Sequence, residues 1–264
     1  MQVVSTNGIV INYSDTGPRD GPCLVFSNSL GTDYRIWQGV AEQLSDNYRL
    51  VFYDKRGHGL SSAPQAPYAM KDHVDDLTGL LDHLEVKDAV IVGLSVGGLI
   101  ALGLLDKRPD LVRALVLSDT APKIGTHEMW SSRISAIRQG GLENAADDIM
   151  QRWFPSRMRK ENPTEVALWR HMMSRTPVEG YLGTCEAIMH TDFTHVASAL
   201  SVPSLCIVGS EDGATPVSLV TAMSETIPDS RLEIIDGAGH LPCIQYPDQI
   251  AALIEAFLTE HGLT

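Results

Sequence analysis

The chain has 264 residues, 44% of them hydrophobic and 20% charged, with a net charge of −13. This size and balance suit one large domain, or a core domain with an insertion, and exclude a disordered chain. The acidity excludes a nucleic-acid surface and an anionic membrane surface, both of which need clustered lysine and arginine.

The acidity is uneven. Residues 121–190 hold 9 Lys/Arg against 8 Asp/Glu, so the middle of the chain is relieved of the overall charge and is suited to receive an anionic ligand. The 4 cysteines, Cys23, Cys185, Cys206 and Cys243, show neither C-x-x-C spacing nor the density of a disulfide framework. The first residues lack the charged and apolar regions of a signal peptide. No stretch approaches the length of apolar sequence that spans a bilayer. These features predict a reduced, cytoplasmic setting, with the cysteines as small core residues.

In chain order, residues 3–5 and 9–13 flank Asn7-Gly8, the strongest short turn signal, and predict a hairpin. Short β-branched apolar runs at 23–26, 50–53, 89–92, 114–117 and 205–208 are of the buried parallel-strand type, and 231–235 is a less apolar last strand. Between them Val74, Leu77, Leu81 and Leu84 share a helical face. Val96, Leu99, Ile100, Gly103 and Leu104 predict an amphipathic helix, as do Ile250, Leu253, Ile254, Phe257 and Leu258. This alternation predicts an α/β fold, a mostly parallel sheet with helices on both faces. It stops between 121 and 195, where Trp130, Trp153 and Trp169 and breaks at Pro155, Pro163 and Pro177 predict a helical cap. The core then comprises 1–120 and 196–264, with 121–195 as the cap.

Gly93-Leu94-Ser95-Val96-Gly97 fits G-x-S-x-G. The bare pattern is common by chance, but here a strand precedes it and a helix follows, the strand–turn–helix elbow that exposes a nucleophilic serine in α/β-hydrolases. Ser95 is the predicted nucleophile. A serine hydroxyl needs a base within reach, and among 9 histidines His240 is best placed, in Gly237-Ala238-Gly239-His240 after the last strand. None of the histidines pairs with another at metal-ligand spacing, so no metal is predicted. For the orienting acid, Asp212 and Asp119 both follow strands and both precede His240. Asp212 is preferred because a strand–Gly–x–x–Asp turn ahead of a Pro216-led helix is the more usual position, and Asp119 is kept as the alternative. The oxyanion donors are assigned to Val96 N–H, next to the nucleophile, and Leu30 N–H in the loop Ser27-Asn28-Ser29-Leu30-Gly31.

With these motifs in place, the chain resembles the 3-oxoadipate enol-lactonase family, within the α/β-hydrolase superfamily. The resemblance rests on Phe26-Ser27-Asn28-Ser29-Leu30-Gly31-Thr32-Asp33, Tyr53-Asp54-Lys55-Arg56-Gly57-His58-Gly59, Gly93-Leu94-Ser95-Val96-Gly97-Gly98 and Gly237-Ala238-Gly239-His240. In the cap it rests on Trp130 with Arg133, Arg152-Trp153-Phe154, and Gly180-Tyr181 with Cys185. The chain departs from the family in carrying Val96 where methionine is commoner, and the Tyr53–Gly59 turn reads as structural.

The resemblance implies an anionic small-molecule lactone as substrate, opened to 3-oxoadipate in the β-ketoadipate route of aromatic degradation, with no cofactor. The substrate carboxylate then needs a cation. Arg133, one helical turn after Trp130, is the expected clamp, and Trp130 a pocket wall. A carboxylesterase or a carbon–carbon bond hydrolase would use the same triad with another pocket. A small-molecule receptor on this fold would turn over slowly and bind a protein partner.

Overall fold

The computed structural model describes residues 2–264. It opens with the expected hairpin: β1 (Gln2–Thr6) and β2 (Ile9–Thr16) pair antiparallel, with Val4 opposite Ile11. Asn7 and Gly8 have φ of 47° and 76°, the two positive values that a type I′ turn requires.

Next come β3 (Cys23–Ser27), α1 (Gln38–Leu44), β4 (Arg49–Tyr53), α2 (Met70–His83), β5 (Ala89–Leu94), α3 (Val96–Lys107) and β6 (Val112–Ser118). Helices α4 (His127–Trp153, kinked at Gly141), α5 (Ser156–Glu161), α6 (Pro163–Ser174), α7 (Val178–Met189) and α8 (Thr194–Ser198) fill the interval before β7 (Ser204–Gly209). The chain closes with α9 (Val217–Thr226), β8 (Ser230–Ile235), α10 (Pro242–Gln245) and α11 (Pro247–Glu260). Among the described residues no helix is long and apolar enough to cross a membrane.

The strands form one eight-stranded sheet in the order β1-β2-β4-β3-β5-β6-β7-β8, parallel from β4 onward. Every residue of β5 and β7 is buried. Alternate side chains point to opposite faces, so both faces of the central sheet are covered. Each Val, Ile or Leu sequestered there contributes about 1.5–3 kcal/mol. Helices α1 and α11 pack together as one group, and α2 and α3 as another.

One feature of the expected helices differs. The α3 segment is buried from Val96 through Leu105, rather than presenting one apolar and one wet face. It lies against β3, β5, β6, α2 and α8 together, so its residues are apolar all round, as in a core helix.

The strand order places the site. From β3 the chain steps to β4 on one side and then crosses back to β5 on the other, so Phe26 lies between Phe52 and Val92. The loops leaving β3 and β5 therefore diverge at a topological switch point, where parallel sheets open a crevice at their carboxyl ends.

Candidate active site

Ser95 is the single residue between β5 and α3, with φ 58° and ψ −118°, a left-handed conformation that is costly for a residue with a Cβ. Hydrogen bonds over-determine the turn: Ser95 N donates to Ser118 O at 3.0 Å, and Thr120 Oγ1 donates to Ser95 O at 2.7 Å. The flanking glycines are sterically required. A Cβ at Gly93 would lie 2.5 Å from Gly97 O, and one at Gly97 would lie 2.1 Å from Ser27 O. Both obstacles are backbone. Gly97→Ala is therefore expected to cost about 3 kcal/mol or more, at or beyond the upper end of ordinary overpacking. Urea unfolding monitored by circular dichroism measures that loss.

His240 follows β8 on a loop that cannot shift freely. Its N–H donates to Trp153 O at 2.9 Å, and a Cβ at the preceding Gly239 would meet that same carbonyl at 2.3 Å. The end of α4 thus anchors the histidine backbone. The imidazole is buried, and Nδ1 donates to Asp212 Oδ2 at 2.9 Å. Asp212 also accepts from Ala214 N at 2.7 Å, Thr215 N at 3.0 Å and Thr215 Oγ1 at 2.6 Å. Burial alone would raise its pKa, but the attraction of His240 and these hydrogen bonds outweigh burial and hold the carboxyl below its usual range. It is a carboxylate with every lone pair directed.

Asp119, the alternative acid, is in the same place. Donor atoms of Asp119, Asp212 and His240 lie within 4.8 Å of one another, all buried. The carboxyl of Asp119 is otherwise engaged, with Gly209 N donating to Oδ1 at 2.9 Å and Ser118 Oγ to Oδ2 at 2.6 Å. Burial first, and then the charge of Asp212, push its pKa well above the usual carboxylate value. The two acids are thus differentiated: the carboxyl of Asp212 is held low against the imidazole, and that of Asp119 is pushed up. Three ligand-type groups so close also suit a cation, but their polar atoms are already used in hydrogen bonds to one another, to backbone and to hydroxyls.

The β3 loop supplies the opposite wall. Leu30 and Val96 are both buried, and neither backbone N–H meets an acceptor among the described residues. Ser29 Oγ lies 3.5 Å from His240 Nε2, so this loop faces the outward nitrogen of the imidazole. Gly31 has φ 76°, and a Cβ there would come within 3.1 Å of Tyr181.

Tyr181 leads to the expected clamp. The charge of Arg133 is felt at the buried Tyr181 hydroxyl and at the Cys185 thiol, and its guanidinium lies 5.2 Å from the centre of the Trp130 ring. Glu186, beside Cys185, is taken by Arg138 at 2.8 Å, and among the described residues no carboxylate pairs with Arg133. Trp130 is buried, with its indole N–H donated to Ile124 O at 2.6 Å. It presents a ring and no free donor.

The sequence reads the turn that holds Lys55 and His58 as structural and does not single out Thr215. Thr215 was detectable in principle, three residues after an acid and before Pro216. Lys55 and His58 sit in a turn with no periodicity to betray what they face.

Residues 22–247 match the family model described as the alpha/beta hydrolase fold. The chain is 33% identical to 3-oxoadipate enol-lactonase 2 of Acinetobacter baylyi over 97% of its own length and 95% of that protein's. It is 30% identical to enol-lactonase 1 of the same organism, over 98% of this chain and 96% of the other. The crystal structure of the enol-lactonase from Burkholderia xenovorans superposes with a TM-score of 0.94 at 33% identity, covering 98% of this chain and 100% of that one. The chain belongs to the α/β-hydrolase superfamily and, within it, to the 3-oxoadipate enol-lactonase family.

Proposed function

We propose that the chain hydrolyses 3-oxoadipate enol-lactone to 3-oxoadipate, with Ser95 as nucleophile, His240 as general base and Asp212 as the orienting acid. The observation that carries this reading is the buried His240 Nδ1–Asp212 Oδ2 hydrogen bond of 2.9 Å at the sheet edge from which the strained Ser95 turn emerges.

Ser95 Oγ attacks the lactone carbonyl while His240 Nε2 takes its proton. The tetrahedral oxyanion is received by Leu30 N–H and Val96 N–H, which are buried and meet no acceptor among the described residues. Collapse expels the ring oxygen as an enolate, a better leaving group than an alkoxide, and His240 returns the proton. The leaving group stays tethered to the acyl chain, so one water attacking the Ser95 ester completes the hydrolysis. No step needs a cofactor. In this reading residues 121–195 cap a core made of 1–120 and 196–264, and the enzyme works in the cytoplasm on a product of aromatic-ring cleavage.

Arg133 binds the substrate carboxylate in this scheme, with Trp130 as the wall beneath it. The support is an arginine without a carboxylate partner, packed on an aromatic ring and sensed by the residue that touches the oxyanion loop. Arg133→Ala is expected to lower kcat/KM for the enol-lactone by about 2–4 kcal/mol, the scale for losing one partner of a desolvated charge pair. Hydrolysis of uncharged p-nitrophenyl acetate should change little. Initial rates on both substrates test the reading: equal losses would mean a distorted cap, and no loss on either would remove Arg133 from the site.

A further inference from the structure

The turn between β4 and α2 buries a lysine under the β3 loop. Lys55 is 1% exposed, and Nζ donates to Ser29 O at 2.5 Å and to Thr32 O at 3.2 Å. Among the described residues no carboxylate lies within ion-pair distance of it. A desolvated ammonium of this kind costs several kcal/mol, and the fold has other means of satisfying both carbonyls. Thr32 Oγ1 also donates to Ser29 O, at 2.8 Å, and Asn28 Nδ2 donates to Thr32 O. The lysine is therefore surplus to what the loop needs for hydrogen bonding.

What it adds follows from peptide geometry. The Ser29 C=O and the Leu30 N–H belong to one trans peptide group, so they point in opposite directions. A cation on the carbonyl side fixes the direction of the N–H and draws electron density from it, which makes it a stronger donor. The next peptide is fixed by the same turn: Gly31 N donates to His58 Nε2 at 3.0 Å, and His58 Nδ1 contacts Arg56 O at 3.0 Å. Burial, followed by the charge of Lys55, keeps that imidazole neutral and able to accept. Leu30 N–H is left between two engaged groups, opposite the Ser29 carbonyl.

We propose that Lys55 is a positioning residue of the oxyanion hole, holding the Ser29 carbonyl so that the Leu30 N–H is both aimed at and polarised toward the developing oxyanion. This rests on the reading of Leu30 N–H as an oxyanion donor. Burial pushes the Lys55 pKa down to about 7, so its charge is lost as pH rises through the neutral range. The groups facing it are the carboxylates of Asp54 and Asp33, which favour the ammonium, and the imidazoles of His58 and His73. Above neutral pH the amine still donates hydrogen bonds but no longer polarises the peptide.

The test is Lys55→Met, which keeps the stem and leaves both carbonyls with their other partners. On the enol-lactone, kcat should fall about 10- to 100-fold, less than the loss of a whole oxyanion donor. KM should stay within about threefold and the melting temperature at or above that of the unaltered chain. The ratio of kcat between the unaltered chain and Lys55→Met, in which pH effects common to both cancel, should fall toward one as pH rises through about 7. A Lys55→Met kcat within about twofold of the parent would overturn the proposal. So would kcat profiles of the unaltered chain and Lys55→Met that run parallel from about pH 6 to 9. Ser95→Ala, assayed alongside, separates the two levels: if it retains turnover, the serine mechanism fails whatever Lys55 does.

Discussion

Ser95→Ala is expected to lose nearly all turnover on the enol-lactone, about 10⁴- to 10⁶-fold in kcat, while its fold and its affinity for the product are preserved. The hydroxyl is the only group removed, and the strained turn is held by Ser95 N and O, which alanine retains. His240→Ala should lose a similar amount, and the double variant little more than either alone, because a nucleophile without its base and a base without its nucleophile are equally inert. Steady-state rates of the three variants measure this. Losses that multiply would mean that the two residues act in separate steps.

The second large effect distinguishes the two buried acids. Asp212→Asn is expected to lower kcat by about 10⁴-fold, by analogy with the serine proteases, where the same change leaves the imidazole in the wrong tautomer. The amide cannot serve as an anion opposite His240 Nδ1, and its NH₂ would also face donors from Ala214, Thr215 or His240. Asp119→Asn is expected to lose less than about tenfold. The Asp119 oxygens accept from Gly209 N and Ser118 Oγ and not from the imidazole, so an amide of the same shape leaves the base oriented. The reverse ranking would make Asp119 the orienting acid.

These contrasts also mark how far the sequence could be read. The strands were legible because buried parallel strands are β-branched on both faces, and the runs at 89–92 and 205–208 are of that kind. The serine elbow was legible because its glycines answer to backbone obstacles within the same turn or on the adjacent strand. The full burial of α3 was not legible, since an apolar residue facing another helix looks the same in sequence as one facing the sheet. The choice between Asp119 and Asp212 could not be made from chain order. The two lie at the ends of adjacent strands, and only the hydrogen bonds show which carboxyl the imidazole uses. Lys55 was least legible of all. It reads as one charge among several in a polar turn, and its role depends on a loop 23 to 26 residues earlier in the chain.

Steady-state hydrolysis of 3-oxoadipate enol-lactone by the unaltered chain, with 3-oxoadipate identified as product, tests the central claim most directly. The account predicts many turnovers per active site, with kcat in the ordinary enzymatic range of about 1–10³ s⁻¹, and a kcat/KM at least about 100-fold above that for p-nitrophenyl acetate. A kcat/KM on the enol-lactone no higher than on the neutral ester, or release of no more than one product per active site, would contradict it.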